Sequence, residues 1–187
     1  MDAPRSMPNA ESNPGAAAMY ASIGRRFLAQ VVDGLVAFGV YFFMGMAIAP
    51  RFGGTTEGGF KFTGGPALLL MALVGLVLLA YFVVAEATGG ATLGKLAAGI
   101  EVQTVTGGRI SLGAAVIRNV LRIIDGIAVY LVAVISIMVT QRRQRLGDLA
   151  AETVVVGHPA RGRQRVLALA IALAVLVAGV VAGKGLG

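Results

Sequence analysis

The stretch "RRFLAQVVDGL", residues 25–35, sets a carboxylate inside a run otherwise suited to lipid. The residues that follow stay apolar to Ala49, so Asp33 cannot belong to a soluble loop. Arg26, Gln30, Asp33, Ala37 and Tyr41 fall on one face of a 3.6-residue period, which makes the carboxylate part of a polar stripe. Asp33 lies about 10 Å along the axis from Arg26. A charge at such depth costs roughly 2.5 to 3.5 kcal/mol on insertion scales, and it faces a bundle interior or a watery cavity.

Composition agrees with a chain built for a bilayer: 57% of the 187 residues are apolar and only 13% charged, far from a soluble domain. Four apolar windows carry this: Phe27 to Ala49, Pro66 to Ala87, a stretch through about Leu112 to Thr140, and Val166 to Gly183. The first, second and fourth match the roughly 20 residues a spanning helix needs. The expected fold is an all-α polytopic membrane protein: three spanning helices and a broken, re-entrant third hydrophobic segment. Residues 1–20 read as a polar N-terminal tail, 21–157 as the membrane domain, and 158–187 as a basic linker with an additional C-terminal helix. Residues 51–65 read as a loop between antiparallel helices.

Between the second and third windows, "GIEVQTV", "TGG" and "RIS" read as a hairpin on the cytoplasmic side, with "ETVVV" available as a third strand. Ser111 is placed to cap the helix that follows. On that helix Arg118, Arg122 and Asp125 recur at i, i+4 and i+7 and form a charged stripe. Asp33 is therefore expected within reach of Arg118 or Arg122, as an ion or proton site or as a helix-locking pair.

Lysine and arginine positions choose between topologies, because cytoplasmic loops carry the excess. Three precede the first helix, two lie in the first loop, four between 88 and 122, six between 141 and 165, and one follows the last helix. A single crossing by 112–140 leaves eight on each side. Return to the same side gives thirteen against three, which favours re-entry with the N-terminus in the cytoplasm. A break at Asp125 and Gly126 leaves two legs of about 21 Å each, too short to span.

Other chemistries are excluded on the residues. No cysteine is present, so thiolate catalysis and cysteine metal sites are absent, and the single His158 makes no metal site alone. "GATLGK" lacks the spacing and the Ser or Thr of a phosphate loop; it reads as a turn with Lys95 at the headgroups. Ser136 sits among apolar residues, with no triad partner. No enzyme, cofactor or nucleic-acid partner follows, since the basic residues flank apolar segments and have no soluble face to line.

The first helix with Arg26 and Asp33, the block "GATLGKLAAGIEVQTVTGGRISLGAAVIRNVLRIID" and the block "QRRQRLGDLAAETVVV" together resemble the RDD family of bacterial membrane proteins. The resemblance covers about residues 19–157. That family is named for one arginine and two aspartates, which fall here on Arg26, on Asp33, and on Asp125 before Asp148. The resemblance implies a bacterial cytoplasmic membrane and transport of a ligand it does not define; the intramembrane Arg and Asp residues themselves point to a small ligand, as cation or proton exchange. The alternative is a membrane scaffold with a structural Arg/Asp network. Candidate site residues are Asp33, Asp125, Arg26, Gln30, Arg118 and Arg122, then Asp148 and Lys95. The C-terminal helix lies outside the resemblance; its row Ala170, Ala174, Ala178 and Ala182 suits close helix contact with this chain, a second copy or another membrane protein. Membrane lipids are the remaining partner.

Overall fold

The structure, a computed structural model, describes residues 20–127, 131–157 and 162–186, with the side chains of 124–127, 131–134, 183 and 185–186 excepted. The expected tail over 1–19, His158 and the Asp125 side chain therefore lie outside the described residues. The chain is mostly helical, and three of its helices are long and apolar enough to cross a membrane: α1 (Ile23–Phe52), α2 (Gly65–Gly89) and the last helix, α7 (Gly162–Leu186).

Ser22 starts α1 by accepting the Arg25 amide, and Gly53, in the left-handed region at φ 64°, ends it. Between α1 and α2 the expected loop contains a small hairpin, β1 (Thr55–Thr56) with β2 (Gly59–Phe60). It folds back on α1 because Gly45 has no side chain: a Cβ there would run into the Phe60 ring. Pro66 opens α2, and left-handed Gly90 closes it.

After α2 come α3 (Leu93–Ala98), β3 (Ile100–Thr104), α4 (Leu112–Ile127), α5 (Leu131–Val139), α6 (Leu146–Ala150) and β4 (Thr153–Gly157). β3 pairs with β4 in antiparallel register, from Ile100 opposite Gly157 to Thr104 opposite Thr153. The hairpin expected between 100–106 and "RIS" does not form. Ser111 is committed to the Ala114 amide at the start of α4, and Ile110 is buried in the core, so too few residues remain for a strand. Val154, Val155 and Val156, all buried, supply the β-branched partner instead. The far edge of β4 is covered by the residues leading into α1: Tyr20 bridges Val156, and the Ala21 amide donates to the Val155 carbonyl. Tyr20, placed in the tail by its sequence, is thus a buried part of the fold.

The interruption expected at Asp125 and Gly126 is not found there, since α4 runs through both to Ile127; α5 begins at Leu131, and residues 128–130 lie outside the described residues. Helix α4 reverses the pattern of a water-soluble helix: Ala115, Arg118 and Asn119 are buried, whereas Leu112, Val116, Ile117, Val120 and Ile123 are exposed. An exposed apolar face of this extent on a helix with a polar inner face is the mark of a surface that meets lipid or another protein.

Helix α7 packs along α1. Its contact face is Ala168 and Ala172, buried against Val32 and Val36, and Gly179, buried against Gly39. The row Ala170, Ala174, Ala178 and Ala182 is exposed, so the contact with α1 uses the other alanine row. A Cβ on Gly39 would meet the backbone of Val175 and Leu176, and one on Gly179 would meet the backbone of Gly39. Close backbone approach through small residues is the packing mode available in lipid, where apolar burial gives no preference between helices. Gly39→Leu and Gly179→Leu should each cost about 1 to 3 kcal/mol through overpacking, while Ala174→Leu, pointing outward, should leave unfolding in detergent unchanged.

Candidate functional site

Asp33 is buried, yet its partners are neutral. Its carboxylate accepts from the Thr92 hydroxyl at 2.7 Å, the Gly94 amide at 2.9 Å and the Tyr81 hydroxyl at 3.2 Å. Tyr81 in turn accepts the Leu93 amide at 2.9 Å, and Thr92 accepts the Lys95 amide at 3.2 Å. The free amides at the start of α3 are thereby satisfied, and a carboxylate from a different helix forms part of the cap. Gly94 permits this approach, since a Cβ there would collide with the Ala29 carbonyl and the Asp33 carboxyl. Among the described residues no arginine lies within ion-pair distance of Asp33, so the expected pairing with Arg118 or Arg122 is not formed. Three donors meet the Asp33 carboxylate, and Arg118 is drawn elsewhere.

Arg118 joins two carboxylates from different helices. Its Nε donates to Glu86 of α2 at 3.0 Å, and its Nη1 donates to Asp148 of α6 and to the Thr153 hydroxyl of β4, each at 2.5 Å. Glu86 also takes the Lys95 ammonium and, at 3.1 Å, the Asn119 amide. Asp148 takes Arg26 Nη1 at 3.1 Å and the Arg145 backbone amide at 3.1 Å. The result is a buried relay of alternating sign, Lys95, Glu86, Arg118, Asp148 and Arg26, tying together α1, α2, α3, α4 and α6. Beside it Arg122 donates to Gln30 at 2.5 Å and lies 4.0 Å above the centre of the Phe82 ring.

The candidates named from sequence thus separate. Arg26, Arg118, Lys95 and Asp148 share the relay, Gln30 and Arg122 form a neighbouring pair, and Asp33 reaches the relay only through Thr92 and α3. Lys95 is buried in an ion pair, not displayed at the headgroups. The sequence reading missed Glu86, although it obeys the rule that singled out Asp33: a lone carboxylate near the end of an apolar span. Tyr81, Thr92 and Asn119 carry no such signal.

Outside the spanning helices, burial alone would raise the Asp148 carboxyl, but Arg118, Arg145 and Arg26 outweigh it and hold the group below the usual carboxylate range. Burial pushes the Lys95 ammonium down to about 8, against the pull of Glu86.

A family model described as the RDD family matches residues 20–152, most of the chain and every member of this relay. The chain belongs to the RDD family. No curated protein and no solved structure matches it. In this RDD protein Arg26, the arginine of the resemblance, pairs with Asp148, the aspartate that sequence reading ranked second. Helix α7 lies beyond the RDD match.

Asp148→Asn should destabilise the protein by about 3 to 5 kcal/mol, because Arg118 would remain buried with half its compensation gone. Lys95 predicts a pH effect of defined sign. Its folded value near 8 lies below its ordinary 10.5, so between those values the unfolded chain binds more protons and stability rises with pH. Melting temperatures measured across that window should climb in the parent and lose that component in Lys95→Met.

Proposed function

We propose that this RDD protein is a multi-pass protein of a bacterial cytoplasmic membrane, N-terminus inside, that exchanges protons or a small cation through its buried charge relay. The pairing of β3 with β4 supports the topology, since strands on opposite sides of a bilayer cannot hydrogen-bond. Residues 105–152 then leave and return on one side. Helix α4, with 16 residues, is about 24 Å long, and α5, with 9, about 14 Å; neither covers a core of about 30 Å, in keeping with a re-entrant or interfacial pair. The exposed apolar face of α4 supports its contact with lipid. The charge distribution of thirteen against three supports a cytoplasmic sheet. The outward Ala170, Ala174, Ala178 and Ala182 row is the surface left for a second copy or another membrane protein.

The observation that carries the exchange reading is the sharing of Glu86. Lys95 can release its proton while Arg118 and Asn119 still hold the carboxylate, so one member of the relay can change state without orphaning the rest. A second reading, a static lock that serves a scaffold, is favoured by the full set of donors around Asp33, Glu86 and Asp148. Purified protein in liposomes with a pH-sensitive dye and Na⁺, K⁺ or Li⁺ gradients separates the two. Exchange predicts a cation-dependent pH change that Lys95→Ala or Glu86→Gln abolishes in correctly inserted protein; a parent that inserts and folds but moves nothing under any gradient is a lock.

The topology has its own check, made easy by the absence of native cysteine. Single cysteines at Thr106 and Ala160 should both resist an impermeant thiol reagent in intact cells, and one at Glu57 should react. Labelling at 160 alone would remove the re-entrant arrangement.

A further inference from the structure

At one end of the relay three arginines crowd a single carboxylate. Asp148 receives Arg118 on one oxygen and Arg26 on the other, while Arg145 Nε stands 4.0 Å from the second oxygen, outside hydrogen-bond range. Arg145 Nε and Arg118 Nη2 are both buried and have no hydrogen-bond partner among the described residues. The Arg118 side chain is only 1% exposed. Among the described side chains, Lys95, Arg26, Arg118 and Arg145 face two relay carboxylates, Glu86 and Asp148, two fewer than their positive charges. Removing unbalanced charge from water costs several kcal/mol per ion, so the cluster calls for an anion.

The approach is set by exposure. Arg26, the most open member of the relay, and the adjoining Arg145 have side chains 11% and 15% exposed. Arg26 also shapes the adjoining loop: its Nη2 donates at 2.7 Å to the carbonyl of Arg143, a residue held at φ 52° in the left-handed region. The chain around this edge is apolar and outward-facing, with Met138 and Val139 exposed before the loop and Leu146 and Leu149 exposed after it. An anion bearing acyl chains can fill both environments at once.

We infer that the Arg26–Arg145 edge of the relay is a binding site for a phosphate-type anion, the headgroup phosphate of an anionic phospholipid. Arginine suits this group because its planar donors match phosphate oxygens, and the unpaired Arg145 Nε supplies an uncommitted donor. The site goes beyond the exchange reading and stands whether or not the protein transports anything.

The test uses the full chain in a neutral detergent, melted with short-chain phosphatidylglycerol, short-chain phosphatidylcholine or inorganic phosphate. Phosphatidylglycerol should raise the parent's melting temperature saturably, and Arg145→Gln should weaken its apparent affinity by about tenfold or more. Arg145→Lys, which keeps the charge and loses the planar fork, should fall between and covers the case in which the Gln variant folds poorly. Arg163→Gln, an exposed arginine on α7, should behave as the parent. Competition by inorganic phosphate supports the phosphate as the recognised group, and full stabilisation by phosphate alone makes the free anion the ligand of the same site. Phosphatidylcholine equal to phosphatidylglycerol, or Arg145→Gln and Arg145→Lys both binding as the parent does, overturns the inference.

Discussion

The rest of the structure depends on where Arg118 puts its charge. A guanidinium on the buried face of α4 must be met by carboxylates, and those come from α2 through Glu86 and from α6 through Asp148. Because α6 leads directly into β4, the same contact sets the register in which the chain returns to the sheet, and Thr153 of that strand completes the donor set of Arg118. Arg26 then binds the other Asp148 oxygen and draws the start of α1 to the same point. A bridge of this kind is weak evidence for net stability, since two desolvated charges cost much of what their attraction returns. Its effect is to specify one arrangement among several that apolar helices alone would tolerate.

Asp33 acts by a second route. Its carboxylate holds the first turn of α3, and α3 carries Lys95 to Glu86. The carboxylates of α1 and α2 are therefore coupled through a six-residue helix bounded by left-handed glycines at 90 and 99. Helix α7 closes the outer side of that unit, with Ala168 and Ala172 beside Leu93, Leu96 and Ala97 and the Arg165 guanidinium over Gly99. Gly94 is tied to the same geometry, because any side chain there displaces Asp33 from the amides.

Much of this was legible in the sequence. Hydropathy and length were enough for the three spanning helices, and a carboxylate in an apolar run marked Asp33 as facing the interior. Pairing was not legible, because helical spacing reports which residues share a face and not which faces meet. Asp33 therefore seemed matched to Arg118, when neutral donors from Tyr81, Thr92 and Gly94 had taken its place. Of the two partners expected for β3, "ETVVV" does pair with it and 109–111 does not: proximity in sequence favoured 109–111, but Ser111 was needed as a cap. On α7 both alanine rows fit the same rule, and only the positions of Gly39 and Gly179 selected Ala168 and Ala172. Glu86 could have been found by the argument applied to Asp33.

The central claim, that one guanidinium couples α2, α4 and α6, is tested most directly by a double-mutant cycle between Arg118→Met and Glu86→Gln, read as unfolding free energy in detergent. The account predicts that the double variant loses less than the two single losses combined, by an interaction energy of about 0.5 to 3 kcal/mol. Additive losses would contradict it, and would leave Arg118 and Glu86 as neighbours with no energetic connection.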